Sequence, residues 1–176
     1  MGYPGTMGTM RARLNQMNIP LKELQYALAT HYHIDHAGLA QELKLEGVGL
    51  LVLETQVPAI PLMEQFTKPQ DYYVDISLDG NVTISFPESR AFLAQLGIPG
   101  EILPTPGHSN DSVSLLLDDG SVFTGDLTPL DLAWGEAAGV VVTSWHLLEK
   151  KGAKRVYPGH GPVWSSLSIF YERTYN

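Results

Sequence analysis

Residues 30–36 bring three imidazoles and one carboxylate close together, in the pattern His-x-His-x-Asp-His from His31 to His36. The chain has six histidines and no cysteine, so half of its imidazoles lie in this one segment. Neutral imidazole nitrogen and carboxylate oxygen suit zinc, manganese or iron, whereas a structural zinc site of the cysteine type needs thiolates. The pattern therefore predicts a divalent-metal site without thiolate ligands.

The sequence before this motif predicts how its side chains are positioned. Residues 24–29 form a short apolar run typical of a β-strand, and the histidines begin where that strand should end. In extended backbone His31 and His33 project to the same side, so both can chelate one ion. Asp35 and His36 lie where a helix over residues 37–45 should begin, and they can face a second ion from the other flank.

Three further candidate ligands follow strand-like or turn-like sequence, namely His108, Asp126 and His160. His108 follows a short run over 101–104 and a Pro-Gly turn, Asp126 follows a strand over 121–124 and a glycine, and His160 follows a strand over 155–157 and a Pro-Gly turn. Loops at strand ends are where rigid scaffolds place chemistry, and glycine lets a backbone approach an ion closely.

With these residues the chain resembles the metallo-β-lactamase superfamily of metal-dependent hydrolases, over about residues 1–162. It looks like the branch with a carboxylate at the bridging position, as in glyoxalase II and RNase Z. The resemblance implies an α/β fold, an αββα sandwich, in a single domain over 1–176. It also implies two divalent metal ions, the first held by His31, His33 and His108, the second by Asp35, His36 and His160, with Asp126 bridging them.

The resemblance implies hydrolysis by a water activated between the two ions, with zinc as the first expectation and manganese or iron as alternatives. Asp35 would orient this nucleophile or shuttle its proton. Ester, thioester, lactone and phosphodiester substrates stay open. A β-lactamase site with a thiolate is excluded by the missing cysteine, and the family's lactonases commonly carry tyrosine where this chain has Pro129.

Two hypotheses from other classes also stay open. One is an iron-dependent oxidoreductase like the family's persulfide dioxygenases, which use a His-His-Asp subset of the same ligands. The other is a metal-binding protein without turnover, because residues 1–5 look like the end of the turn that follows the family's first strands. Those strands are expected to be missing, and a homodimer would then cover the exposed sheet edge.

The length, composition and net charge of the chain limit the classes of protein to which it can belong. A chain of 176 residues with 44% hydrophobic content can form a layered α/β core. A net charge of −8 argues against general binding to nucleic-acid phosphates, and we interpret the basic residues between 150 and 155 as a helix C-terminus. No apolar run reaches the roughly 18 residues that span a bilayer. We expect a soluble, cytoplasmic protein that acts on a small molecule, without nucleic-acid or membrane partners.

The remaining elements follow from periodicity and turn residues. We predict helices over 6–17, 88–96 and 136–151, buried strands over 49–54 and 112–117, and a short helix over 57–66 that two prolines confine. Strands over 74–78 and 81–86 should form a hairpin around Asp-Gly. We interpret His146 as a packing or surface residue, and weigh core against pocket for Tyr32, Trp134 and Trp145.

Overall fold

The structure is a computed structural model that describes residues 1–135 and 138–164. The chain divides into two compact units, Met1–Ser85 (unit 1) and Phe86–Asn176 (unit 2). Each unit contains one β-sheet together with helices. The predicted α/β class is therefore confirmed. Within the described part of the chain, no helix combines the length and the apolar character needed to cross a membrane.

Unit 1 contains a three-stranded parallel sheet in the order β1 (Tyr26–Leu28), β2 (Gly49–Leu53) and β3 (Val82–Ile84). Its central strand β2 is an unbroken apolar run, and four of its five residues are buried. This is the expected composition of a parallel strand that is covered on both faces. The helices of unit 1 are α1 (Met7–Gln16), α2 (Ile34–Ala37) and α3 (Ala40–Leu45), with 3₁₀ segments at Leu21–Glu23, Glu54–Phe66 and Pro69–Asp71.

The helix predicted over 37–45 is instead two helices, α2 and α3, which are separated at Gly38 and Leu39. Gly38 packs so closely that a Cβ atom there would collide with the Ile34 carbonyl oxygen and with the ring of Pro4. Only glycine fits this position. The break makes α2 a separate single turn, and Asp35 and His36 lie in that turn.

The hairpin predicted over 74–86 is wrong, because β3 pairs in parallel with β2 and residues 74–78 form no strand. Backbone groups of residues 77–79, which a strand would pair with its neighbour, instead form hydrogen bonds with side chains of α3. The Ser77 N–H donates to Gln41 Oε1 at 2.9 Å, and Lys44 Nζ donates to the carbonyl oxygens of Ser77 at 2.7 Å and Asp79 at 2.8 Å. These contacts join residues more than thirty positions apart, so no local pattern predicts them.

Unit 2 contains a four-stranded sheet in the order β4-β5-β6-β7. The strands are β4 (Gly100–Pro104), β5 (Val113–Leu117), β6 (Ser121–Gly125) and β7 (Arg155–Pro158); the first three pair antiparallel and β7 pairs parallel to β6. The helices are α4 (Phe86–Gln95) and α5 (Ala138–Lys150), with a 3₁₀ turn at Leu130–Leu132. The predicted first residue of the last helix, 136, lies outside the described residues.

Helix α5 carries two of the candidate residues, Trp145 and His146, and Trp134 precedes it. Trp145 is buried in the core of unit 2, where its indole N–H donates to the Thr128 carbonyl oxygen at 2.8 Å. It is therefore a packing residue. The side chain of His146 is 56% exposed and faces Glu149, so it is a surface histidine as predicted. Trp134 is 85% exposed and does not belong to the core.

An ion-pair network joins α4, β4 and the end of α5 in unit 2. Lys151 Nζ donates to the Glu101 carboxylate at 3.0 Å, and Arg90 donates to Glu101 at 3.1 Å and to Asp118 at 2.9 Å. Desolvation by burial alone would raise the pKa of Glu101, but the hydrogen bonds from Lys151 and Arg90 outweigh it, so the pKa lies below its ordinary value. Of the basic residues predicted to form a helix C-terminus, Lys150 ends α5 and Lys151 directly follows it with this ion pair, whereas Arg155 is the first residue of β7.

Candidate metal centre

Unit 1 gathers four of the predicted ligands into one group, here called the amino-terminal cluster: His31, His33, Asp35 and His36. The ring of His31 lies 4.5 Å from that of His33 and 4.2 Å from that of His36, measured between centroids. The Asp35 Oδ2 and His36 Nε2 atoms are 3.5 Å apart. One ligand atom of His31 and one of His33 lie within 4.8 Å of each other. The spacing of the motif thus brings its donors together within this unit.

The local fold explains this arrangement. Strand β1 ends at Leu28, and the chain bends at Thr30 and His31. His33, with a φ of −98° and a ψ of 156°, is extended and directly precedes α2. The N–H groups of His36 and Ala37 then donate to the His33 carbonyl oxygen, at 3.0 and 2.8 Å. The turn of α2 therefore begins directly after the His-x-His pair and fixes where Asp35 and His36 lie.

A buried glutamine that the sequence analysis missed holds the segment before His31. Gln56 Oε1 accepts the Leu53 N–H at 3.1 Å, while Gln56 Nε2 donates to the carbonyl oxygens of Ala29 at 3.1 Å and Thr30 at 3.4 Å. This side chain is fully buried. It ties the end of β2 to the two residues that precede the first ligand. The sequence offered one indication of this role, namely that Gln56 is a polar residue two positions after the predicted buried strand.

The surroundings of His31 favour one of its two ring nitrogens as a ligand. His31 is fully buried, and its Nδ1 lies 3.2 Å from the Thr30 hydroxyl oxygen. When Nδ1 carries the proton, it donates to this hydroxyl and Nε2 keeps its lone pair for a metal ion. Metal-binding histidines commonly fix their orientation in this way.

Unit 2 gathers the other three predicted ligands, here called the carboxy-terminal cluster: His108, Asp126 and His160. Asp126 follows the last residue of β6, and His160 follows β7. The Gly159 N–H donates to the Gly125 carbonyl oxygen at 2.7 Å and so joins the two loops that carry them. Asp126 Oδ2 lies 3.8 Å from His108 Nε2 and 3.6 Å from His160 Nε2.

The separations between donor atoms fit shared metal ions better than hydrogen bonds. Distances of 3.5, 3.6 and 3.8 Å exceed the usual 2.7–3.2 Å of an N–H···O bond. Two ligands that are each about 2.1 Å from one tetrahedral ion are about 3.4 Å apart. The donor set is imidazole and carboxylate without thiolate, which suits zinc, manganese or iron. Each cluster therefore has the chemistry and the spacing of part of a metal site.

Both clusters are accessible from solvent. The side chains of Asp35 and His160 are 39% and 66% exposed. In unit 2 a cavity of about 270 Å³ is lined by His108, Asp126 and His160 together with Leu127, Pro129 and Trp164. Tyr32 lines a second cavity, in unit 1, next to His33 and Asp35. A small molecule can therefore reach the candidate ligands of each unit.

Comparison with known proteins identifies relatives of this chain. A family model described as the metallo-beta-lactamase superfamily matches residues 2–160. A lactamase-like protein of Pestalotiopsis microspora is 26% identical over 147 residues, which cover 82% of this chain and 39% of the relative. A protein of Methanocaldococcus jannaschii named "probable metallo-hydrolase" is 24% identical over 185 residues, which cover 98% of this chain and 87% of the relative. The chain thus spans well under half of the fungal relative and most of the archaeal one.

Solved structures share the fold. A metallo-β-lactamase family protein from Thermus thermophilus has a TM-score of 0.73 at 17% identity, over 98% of this chain and 66% of that protein. Another protein, solved in a di-iron-bound form, has a TM-score of 0.66 at 22% identity, over 89% of this chain and 78% of that protein. At these identities the likeness shows the fold alone.

Proposed function

We propose that this chain, which belongs to the metallo-β-lactamase superfamily, hydrolyses a small molecule with the help of bound divalent metal ions. The observation that carries the proposal is the donor set. Within each unit, imidazoles and carboxylates converge at strand ends with separations that suit a shared ion. The family match runs over residues 2–160 and so includes the ligands of both clusters.

The two clusters would together hold two ions. We assign His31, His33 and His108 to one ion, and Asp35, His36 and His160 to the other, with Asp126 between them. His31 would bind through Nε2, since Nδ1 faces the Thr30 hydroxyl. Zinc is the first expectation for this donor set, and manganese or iron are the alternatives.

The ligands named above would hold divalent ions, and such ions would supply Lewis-acid chemistry and lower the pKa of a nearby water. Asp35 would orient that water and accept its proton at a carboxylate oxygen, because its side chain is 39% exposed and lies beside His36. Buried His31 and the Gln56 hydrogen bonds would keep the remaining ligands in place. This assignment needs no serine or cysteine nucleophile.

A screen of ester, thioester, lactone and phosphodiester substrates tests the proposal. We expect the wild-type chain to hydrolyse one class, and Asp35→Asn to lower kcat by about 10²-fold or more, since this variant removes the group that takes the proton. His146→Ala is the matched control, because His146 is an exposed histidine outside both clusters. Bound metal without turnover on any class would favour the metal-binding protein that the sequence analysis left open.

An iron-dependent oxidation is the second candidate function. One protein that shares the fold was solved in a di-iron-bound form, and the imidazole and carboxylate donors here also suit iron. Oxygen uptake by iron-loaded protein in the presence of a persulfide would support this alternative. Substrate hydrolysis by zinc- or manganese-loaded protein without oxygen uptake would support the hydrolase.

We also propose that a second copy of the chain covers the edge of the unit 1 sheet. Among the described residues, β1 pairs with β2 on one side and with no strand on the other. Unpaired strand edges are usually covered by another element or chain. Light scattering should then report twice the mass of one chain, and a monomer at micromolar concentration would contradict this arrangement.

A further inference from the structure

A cavity beside the amino-terminal cluster is lined by both polar and apolar side chains. Its volume is about 340 Å³. Its lining includes His33, Ile34 and Asp35, and also Met63 and Phe66 of the 3₁₀ segment Glu54–Phe66. Two side chains that the proposed hydrolase uses, His33 and Asp35, therefore line the same cavity as two apolar side chains.

The apolar wall is part of the fold of unit 1. Met63 is 2% exposed and belongs to the hydrophobic core, and the Tyr73 hydroxyl donates to its sulfur at 3.8 Å. Phe66, by contrast, is 73% exposed and stands at the rim. Tyr32 is 4% exposed and completes the lining. A buried thioether and an exposed aromatic ring form a surface that accommodates flexible hydrocarbon chains.

The charges around this cavity oppose a phosphate. Among the described residues that line it, none is lysine or arginine, and Asp35 is acidic. No lining side chain therefore offsets the charge of a phosphodiester, which would depend on the bound metal ions alone. A neutral ester or thioester brings no charge that the lining must offset.

We propose that this cavity binds the apolar acyl chain of an ester or thioester, which places the scissile carbonyl near His33 and Asp35. This proposal rests on the proposed hydrolase function and narrows its substrate class. The volume exceeds about 150 Å³, a cavity that holds benzene, so a linear chain of about six carbons fits. Each buried methylene should raise kcat/KM by up to about fourfold.

The first experiment compares p-nitrophenyl acetate with p-nitrophenyl hexanoate, which share a leaving group. We expect kcat/KM of the wild-type chain to be at least about tenfold higher for the hexanoate. Phe66→Ala should lower this ratio about threefold or more. Leu62→Ala is the matched control, because Leu62 lies on the same 3₁₀ segment, is 49% exposed and does not line the cavity. Its ratio should equal that of the wild type.

A second experiment needs no turnover. In protein labelled with ¹³C at the methionine methyl groups, hexanamide should shift the Met63 signal, which Met63→Leu identifies by its loss. The signal of exposed Met17 should not move, and acetamide should move neither. A Met63 shift with no hydrolysis of any substrate class in the screen would support the cavity and refute the hydrolase. Equal kcat/KM for both esters, or a silent Met63 signal, would refute the acyl site while any hydrolysis still supports the function.

Discussion

Replacing Gln56 by methionine tests how the fold holds the amino-terminal cluster. The change keeps the length of the side chain but removes its hydrogen bonds to Leu53, Ala29 and Thr30. The two contacts of 3.1 Å are well formed, and the Leu53 and Ala29 groups that they satisfy are buried. The variant thus leaves a buried N–H and a buried carbonyl without their partner.

The expected loss in the free energy of unfolding follows from these two buried groups. A buried polar group that loses its partner costs about 1–3 kcal/mol, so Gln56→Met should lower the free energy of unfolding by about 2–4 kcal/mol. Because Ala29 and Thr30 directly precede His31, the same change should weaken zinc binding. Loss of a residue that supports a ligand typically lowers metal affinity by about 10- to 100-fold.

Two assays separate these effects. Urea unfolding of metal-free protein gives the stability, and competition with a chromophoric chelator gives the zinc affinity. Gln41→Met is the control, because Gln41 accepts one N–H from Ser77 in a loop of the same unit. It should cost at most about 1 kcal/mol and leave zinc affinity unchanged. Unchanged zinc affinity in Gln56→Met would refute the positioning role, even if stability falls.

Three further predictions concern stability and metal. The pKa of the Glu101 carboxylate is lowered, so its ion pairs stabilise the fold above its ordinary pKa of 4.5, and this stabilisation is lost as pH falls through the lowered pKa. In urea unfolding, Glu101→Gln should therefore lower the free energy of unfolding by about 1 kcal/mol at pH 7 and by much less at pH 3. Gly38→Ala should cost about 1–3 kcal/mol, since its Cβ meets the Ile34 carbonyl, whereas Gly8→Ala, in open space, should be neutral or stabilising by thermal unfolding. Metal should dissociate on acidification, because protons compete with the ion for the imidazole nitrogens, and retention at strongly acidic pH would contradict histidine ligands.

Local sequence patterns predicted the structural features that are determined by residues close together in the sequence. The apolar run before His31 gave β1, and the rings of His31 and His33 lie close together as predicted, although the chain bends at His31. Turn residues correctly marked where β5, β6 and β7 begin or end. The family, and with it the pairing of ligands into two sites, came from resemblance, because no spacing rule joins His31 to His108.

Contacts between distant parts of the chain explain the errors. The break after α2 depends on Pro4 packing against Gly38, and the missing strand over 74–78 depends on Gln41 and Lys44. Gln56 escaped notice for the same reason, since its partners lie 26 and 27 positions earlier in the sequence.

The central proposal is that the histidine and aspartate ligands of this chain hold two metal ions. Plasma mass spectrometry of protein purified without added metal or chelator tests it most directly. We predict about two zinc or manganese ions per chain, a clear loss in Asp126→Ala, and no change in His146→Ala, which removes an exposed histidine outside both clusters. No bound metal after reconstitution, or equal metal content in wild type and Asp126→Ala, would contradict the assignment.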